Sequence, residues 1–77
     1  MNYYVLIYDQ GAGRVLDVES YGPEGALAAL ARRFELDREY AGRPSVEVVL
    51  LSAESEGALH QTHARYFKSV DELAQPG

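Results

Sequence analysis

Seventy-seven residues admit one small domain, whose core can be no more than thin. The chain holds no cysteine, which excludes disulfide staples, thiolate nucleophiles and Cys-based zinc or iron–sulfur sites. A formal charge of −5 excludes the broad cationic footprint of a duplex-binding protein, and 47% hydrophobic residues exclude intrinsic disorder.

The run Tyr3-Tyr4-Val5-Leu6-Ile7-Tyr8, ending at Asp9, is aromatic and aliphatic throughout. It reads as a strand that is apolar on both faces, hence central or covered on both sides. The first nine residues lack the basic n-region and long h-region of a signal peptide, and no run approaches the ~20 apolar residues of a membrane span. The expectation is a soluble cytoplasmic protein without a membrane partner. Gln10-Gly11-Ala12-Gly13 follows as a turn whose glycines can take positive φ. Arg14 to Tyr21 then alternates, with Leu16 and Val18 expected on one face and Asp17 and Glu19 on the other. The two strands make a β-hairpin.

Gly22-Pro23-Glu24 opens a long helix, with proline at its first position and an acid near the positive end of the dipole. The helix is expected to reach Tyr40 or Ala41, with Gly42 as its stop and Pro44 just beyond. At about 100° per residue, Leu27, Leu30, Ala31, Phe34 and Ala41 share the face expected to pack on the sheet. Leu36 and Tyr40 fall nearly opposite, beside Ala29 and Arg33, and read as a second contact surface.

Ser45 to Ser52 is the third strand, with Val46, Val48 and Leu50 facing one way and Glu47, Val49 and Leu51 the other. Ser52 is the expected cap of a second helix, which starts at Ala53-Glu54-Ser55-Glu56 and continues to about Arg65. Ser69 and Glu72 fit a capping box for a last helical turn at 70–74, and 75–77 form a frayed tail. The predicted fold is one α+β domain, 1–74, with elements in the order β-β-α-β-α. It has a three-stranded, mainly antiparallel sheet of order 2-1-3, one long helix packed on it and a short C-terminal helix.

That order makes the third strand an edge. Natural edges are blunted by charge, proline or short length, yet this one offers only Glu47 before the apolar run Val48 to Leu51. The expectation is that another subunit covers the edge or the adjoining sheet face. Val49, Leu51, Leu36 and Tyr40 are the candidates for self-association, and a homodimer is the expected assembly.

Little in the sequence points to chemistry. Gly11 and Gly13 precede a strand instead of opening a helix, so they do not form a dinucleotide-binding loop. Glu56, His60 and His63 are spaced by four and three, which on a helix aligns them in one stripe of possible metal donors. With two histidines in the chain, the reading adopted is a solvated Glu–His face, and no catalytic, cofactor-binding or metal residue is assigned. The segment from Gly57 to Val70 contains no acid and carries His60, His63, Arg65 and Lys68 with Tyr66 and Phe67 interleaved. His63, Arg65, Tyr66 and Lys68 are therefore the candidates for a different partner, an acidic peptide or the backbone and bases of a single strand.

The strand from Tyr4 to Tyr8 and the helix start from Gly22 to Leu30 resemble parts of small antitoxin domains of the HicB type. That family's additional strand and Pro/Gly-rich connection are missing here. The sequence reading is a small acidic cytosolic interaction or oligomerisation module without catalysis or cofactor. The alternative is a nucleic-acid-associated or antitoxin-like regulator using segment 57–70, and a small enzyme stands third.

Overall fold

The structure, a computed structural model, describes residues 1–67. Lys68, the capping box at Ser69 and Glu72, the turn at 70–74 and the tail 75–77 lie outside the described residues. The elements are β1 (Asn2–Asp9), β2 (Arg14–Tyr21), α1 (Ala26–Glu39), β3 (Val46–Ala53), α2 (Glu56–Thr62) and α3 (Ala64–Phe67). β1 lies between β2 and β3 and runs antiparallel to both, so the sheet order is 2-1-3, as expected.

β1 holds the centre because it is the strand that can bury both faces. Val5 and Ile7 pack with Ala29 and Leu36 of α1 and with Val48, while Tyr4 and Leu6 pack on the other side with Ala53, Leu59 and Tyr66. The result is a single small α+β domain in three layers, α1 on one face of the sheet and α2 with α3 on the other. The molecule measures 38 × 32 × 11 Å along its principal axes. Layers of helix and sheet stack about 10 Å apart, so only the width of three strands, roughly 10 Å, fits the shortest axis. The protein is thus a slab whose two broad sides are the flanks of β2 and β3.

Local chemistry explains where the boundaries depart from expectation. The hairpin turn closes with Gly13 N–H donating to the Asp9 carbonyl at 2.7 Å and Ala12 N–H to Asp9 Oδ1 at 3.1 Å. Gly13 supplies the positive φ, 68°. The β1–β2 register then slips: Ile7 pairs with Asp17 but Tyr8 with Val15, which leaves Leu16 as the extra residue of a bulge. Leu16 consequently does not share the face of Val18. Val15 takes that place in the layer under α2 and α3, and Leu16 is exposed.

Pro23 and Glu24 belong to a reverse turn instead of the helix, because Gly25 N–H donates to the Gly22 carbonyl at 2.9 Å. A Cβ on Gly25 would stand 2.9 Å from that of Tyr21, so only glycine lets the chain double back this tightly onto β2. Gly25 caps α1, which ends at Glu39 with Tyr40 at its C-cap, short of Gly42. β3 runs through Ser52 to Ala53, and the helix cap passes to Ser55, whose hydroxyl accepts from Ala58 N–H at 3.1 Å. The second helix breaks at His63, dividing it into α2 and α3.

Candidate interaction surfaces

The rotation of α1 reverses the expected one. Ala29 and Leu36 are buried at 0% and 1% exposure, while Leu27 is 82% and Phe34 52% exposed. The stripe read as a second contact is the one that packs on the sheet, and the more apolar stripe faces solvent. Two features hold the helix this way. Ala29, with its single methyl, lets the helix approach the sheet closely above Val5 and Ile7. Arg32, on the flank of that face, is tied to the adjacent strand: its Nε donates to Glu19 Oε1 at 2.9 Å and to Oε2 at 3.2 Å.

Glu19 and Tyr21 point to the same side of β2, and the Tyr21 hydroxyl donates to Glu19 Oε1 at 3.1 Å. Hydrogen bonding from Arg32 holds the Glu19 carboxyl below its ordinary range, against the opposing effect of burial. Burial, followed by the bond to Glu19, pushes the Tyr21 phenol up. A carboxylate with a depressed folded-state pKa contributes stability above its unfolded pKa and loses that contribution as pH falls through the folded value. Urea midpoints of the native protein are therefore expected to drop as pH falls below the ordinary glutamate pKa of about 4.3, and those of Glu19→Gln to drop less. Equal slopes in the two proteins would show that the contact is not felt in solution.

The four candidates for self-association are all drawn into the chain's own layers. Leu36 is in the core under α1, with Tyr40 half-buried beside it and stacked on Arg43, whose guanidinium lies 5.5 Å from the ring centre. Val49 and Leu51 pack half-buried against the layer of Leu59 and Tyr66. Among the described residues the surface left open is made instead by Leu27, Ala31 and Phe34 on α1, with Leu30 half-buried beside them, and by the outer flank of β3. The α1 stripe was visible in the sequence as an apolar face; its direction was not.

The acid-free segment also looks different when folded. Tyr66 is buried, edge-on to Tyr8 with ring centres 5.0 Å apart. Arg65 lies over the Tyr66 ring and donates to its hydroxyl at 3.0 Å, with Glu47 at 3.7 Å. His63 sits half-buried at the C-cap of α2. His60 stacks on Phe67 at 3.8 Å between ring centres and stands 4.0 Å from Glu56. The break at His63 takes it off the helical stripe it was expected to share with Glu56 and His60. Among the described residues no three His, Asp or Glu side chains gather as metal donors would. No helix of the described residues is long and apolar enough to cross a membrane. Neither a family model, nor a curated protein, nor a solved structure matches the chain.

Proposed function

We propose that this protein is a small interaction module that assembles with a second copy of itself and carries out no reaction of its own. The observation that supports this reading is the outward stripe of α1. Single apolar residues on a surface are ordinary, but a helix usually turns its more apolar side inward. Here Leu27, Ala31 and Phe34 are exposed on the outer side with Leu30 half-buried beside them, and large exposed side chains grouped in this way tend to be used in contacts. Burying Phe34 against a partner is worth about 2 kcal/mol. The ring of His60 is engaged in an aromatic stack with Phe67, which fits a structural role for that side chain.

The alternative, a nucleic-acid-associated regulator, draws less support. Of its aromatic candidates Tyr66 lies in the core and Phe67 is stacked on His60, while the charge of Arg65 is opposed by Glu47.

Light scattering at micromolar concentration tests the proposal. The native chain is expected to run as a dimer, and the double variant Leu27→Glu, Phe34→Glu as a monomer with an unchanged far-ultraviolet spectrum. A native chain that is monomeric at these concentrations ends it.

A further inference from the structure

We infer that two copies join along β3, antiparallel about a two-fold axis at Leu50, to form one continuous sheet β2-β1-β3-β3′-β1′-β2′. The inference rests on the self-association proposed above and specifies its register; of the α1 stripe it brings Leu30 and Phe34 to the seam and leaves Leu27 outside it.

The hydrogen-bond phase of β3 supplies the first argument. Gln10 N–H donates to the Ser45 carbonyl at 2.8 Å, and this pair continues the β1–β3 register beyond Asp9 and Val46. Hydrogen-bonded and non-bonded pairs alternate in an antiparallel ladder. Glu47, Val49, Leu51 and Ala53 therefore direct their backbone groups to β1, and Val46, Val48, Leu50 and Ser52 direct theirs outward. The Val46 N–H is occupied, donating to the Arg43 carbonyl at 3.0 Å. No hydrogen bond among the described residues reaches the outward N–H and C=O groups of Val48, Leu50 and Ser52.

Symmetry then selects a register. Opposed residues must lie on the same face of the sheet, so a two-fold pairs residues of like parity. Centring on Leu50 sets Val48 against the partner's Ser52 and Leu50 against the partner's Leu50. All the open backbone groups of these residues are satisfied, and the engaged N–H of Val46 is left alone. Glu47 falls opposite the partner's Ala53, so no like charges meet. The other edge is unsuited to the same use: β2 is bulged at Leu16 and carries Arg14, Asp17 and Glu19.

The helix layer agrees with this arrangement. α1 packs with the β1 and β3 residues Val5, Ile7 and Val48, and its Arg32 flank is tied to β2. The opposite flank, Leu30, Arg33 and Asp37, therefore lies on the β3 side, with Phe34 next to it. Strands spaced about 4.8 Å apart place a helix centred over β1 and β3 about 5 Å from the axis. The two copies of α1 then run about 10 Å apart, the spacing of packed helices. Leu30 and Phe34 border that seam, where Arg33 and Asp37, 3.8 Å apart, set opposite charges side by side. The side of the slab that would be covered measures 38 × 32 Å in outline. That outline is larger than the ~800 Å² per partner of an ordinary specific interface, so the side has room for one.

The chain has no native cysteine, so an introduced one reports its own position. Leu50→Cys is expected to give a covalent dimer with oxidised glutathione, since paired Cα atoms lie about 5.5 Å apart. Val48→Cys and Ser52→Cys, each about 14 Å from its symmetry mate, should not. Ser52→Pro removes an outward N–H that β1 does not use, a position where an edge strand accepts proline. It is expected to stay folded and become monomeric. In the native dimer the amides of Val48, Leu50 and Ser52 should be protected from exchange and lose that protection on dilution. A native dimer with these amides unprotected, or one that cross-links at 48 or 52 in place of 50, overturns the β3 pairing and leaves self-association standing. A dimeric Ser52→Pro does the same. A monomeric native protein overturns both.

Discussion

Leu36→Ala is expected to cost about 2–4 kcal/mol of folding stability, and Leu27→Ala less than about 0.5 kcal/mol. Both residues are leucines on the same helix, and Leu27 belongs to the more apolar stripe. Leu36 is 1% exposed and packs with Val5, Ile7, Ala29 and Val48. Its truncation leaves a cavity between helix and sheet that a close-packed layer refills only partly. Leu27 leaves nothing behind. Against a total stability on the order of 5 kcal/mol for so small a domain, the first substitution consumes most of the margin. Urea unfolding followed by far-ultraviolet circular dichroism measures both. The comparison belongs at low protein concentration, where association does not add to the apparent stability of the Leu27 background. If Leu27→Ala proves the costlier change, α1 packs with its other face.

Leu59→Ala is expected to cost a similar amount, about 2–4 kcal/mol, but to be seen first by the tyrosines. Leu59 is fully buried in the layer formed with Tyr4, Leu6, Ala53 and Tyr66. It is the anchor of a seven-residue helix, which is too short to persist in water without its packed face. Loosening α2 and α3 removes the edge-on contact of Tyr66 with Tyr8 and uncovers Val49 and Leu51. With six tyrosines and no tryptophan, the near-ultraviolet signal reports the tyrosines directly. That signal should fall in Leu59→Ala before the far-ultraviolet signal does. His60→Ala, an exposed neighbour on the same helix, should lower stability by no more than about 0.5 kcal/mol. Coincident loss of both signals would mean that the two helical layers do not unfold separately.

Much of the architecture was readable because it depends on local pattern. Tyr3 to Tyr8 is apolar on both faces and occupies the one position in the sheet with neighbours on both sides. The alternation from Val46 to Leu51 places each residue on its observed face. What could not be read depends on relations between distant segments. The rotation of α1 is decided by the close approach of Ala29 and by a salt bridge to Glu19, neither of which enters a count of apolar residues along a helical wheel. Leu16 was assigned a face by alternation, which fails wherever a bulge adds a residue. Ser52 and Ser55 are equally good caps by composition, and the choice falls to Ser55 because Ala53 is still paired with Asn2. Leu36 and Tyr40 were singled out for not fitting the apolar face, and that misfit arose because the face assigned to the core was the one that stays outside.

The central position of β1 also bears on the order in which the protein forms. β1 is synthesised before the other described elements and can pair at once with β2, four turn residues away. Its second neighbour must wait, since Asn2 pairs with Ala53 and Asp9 with Val46. Until β3 is synthesised, a strand of tyrosine, valine, leucine and isoleucine stands with one flank open, and long-range pairings of this kind close slowly. During that interval the nascent hairpin is the species most exposed to aggregation. Synonymous changes that slow translation after residue 21 should therefore lower soluble yield without altering the finished protein.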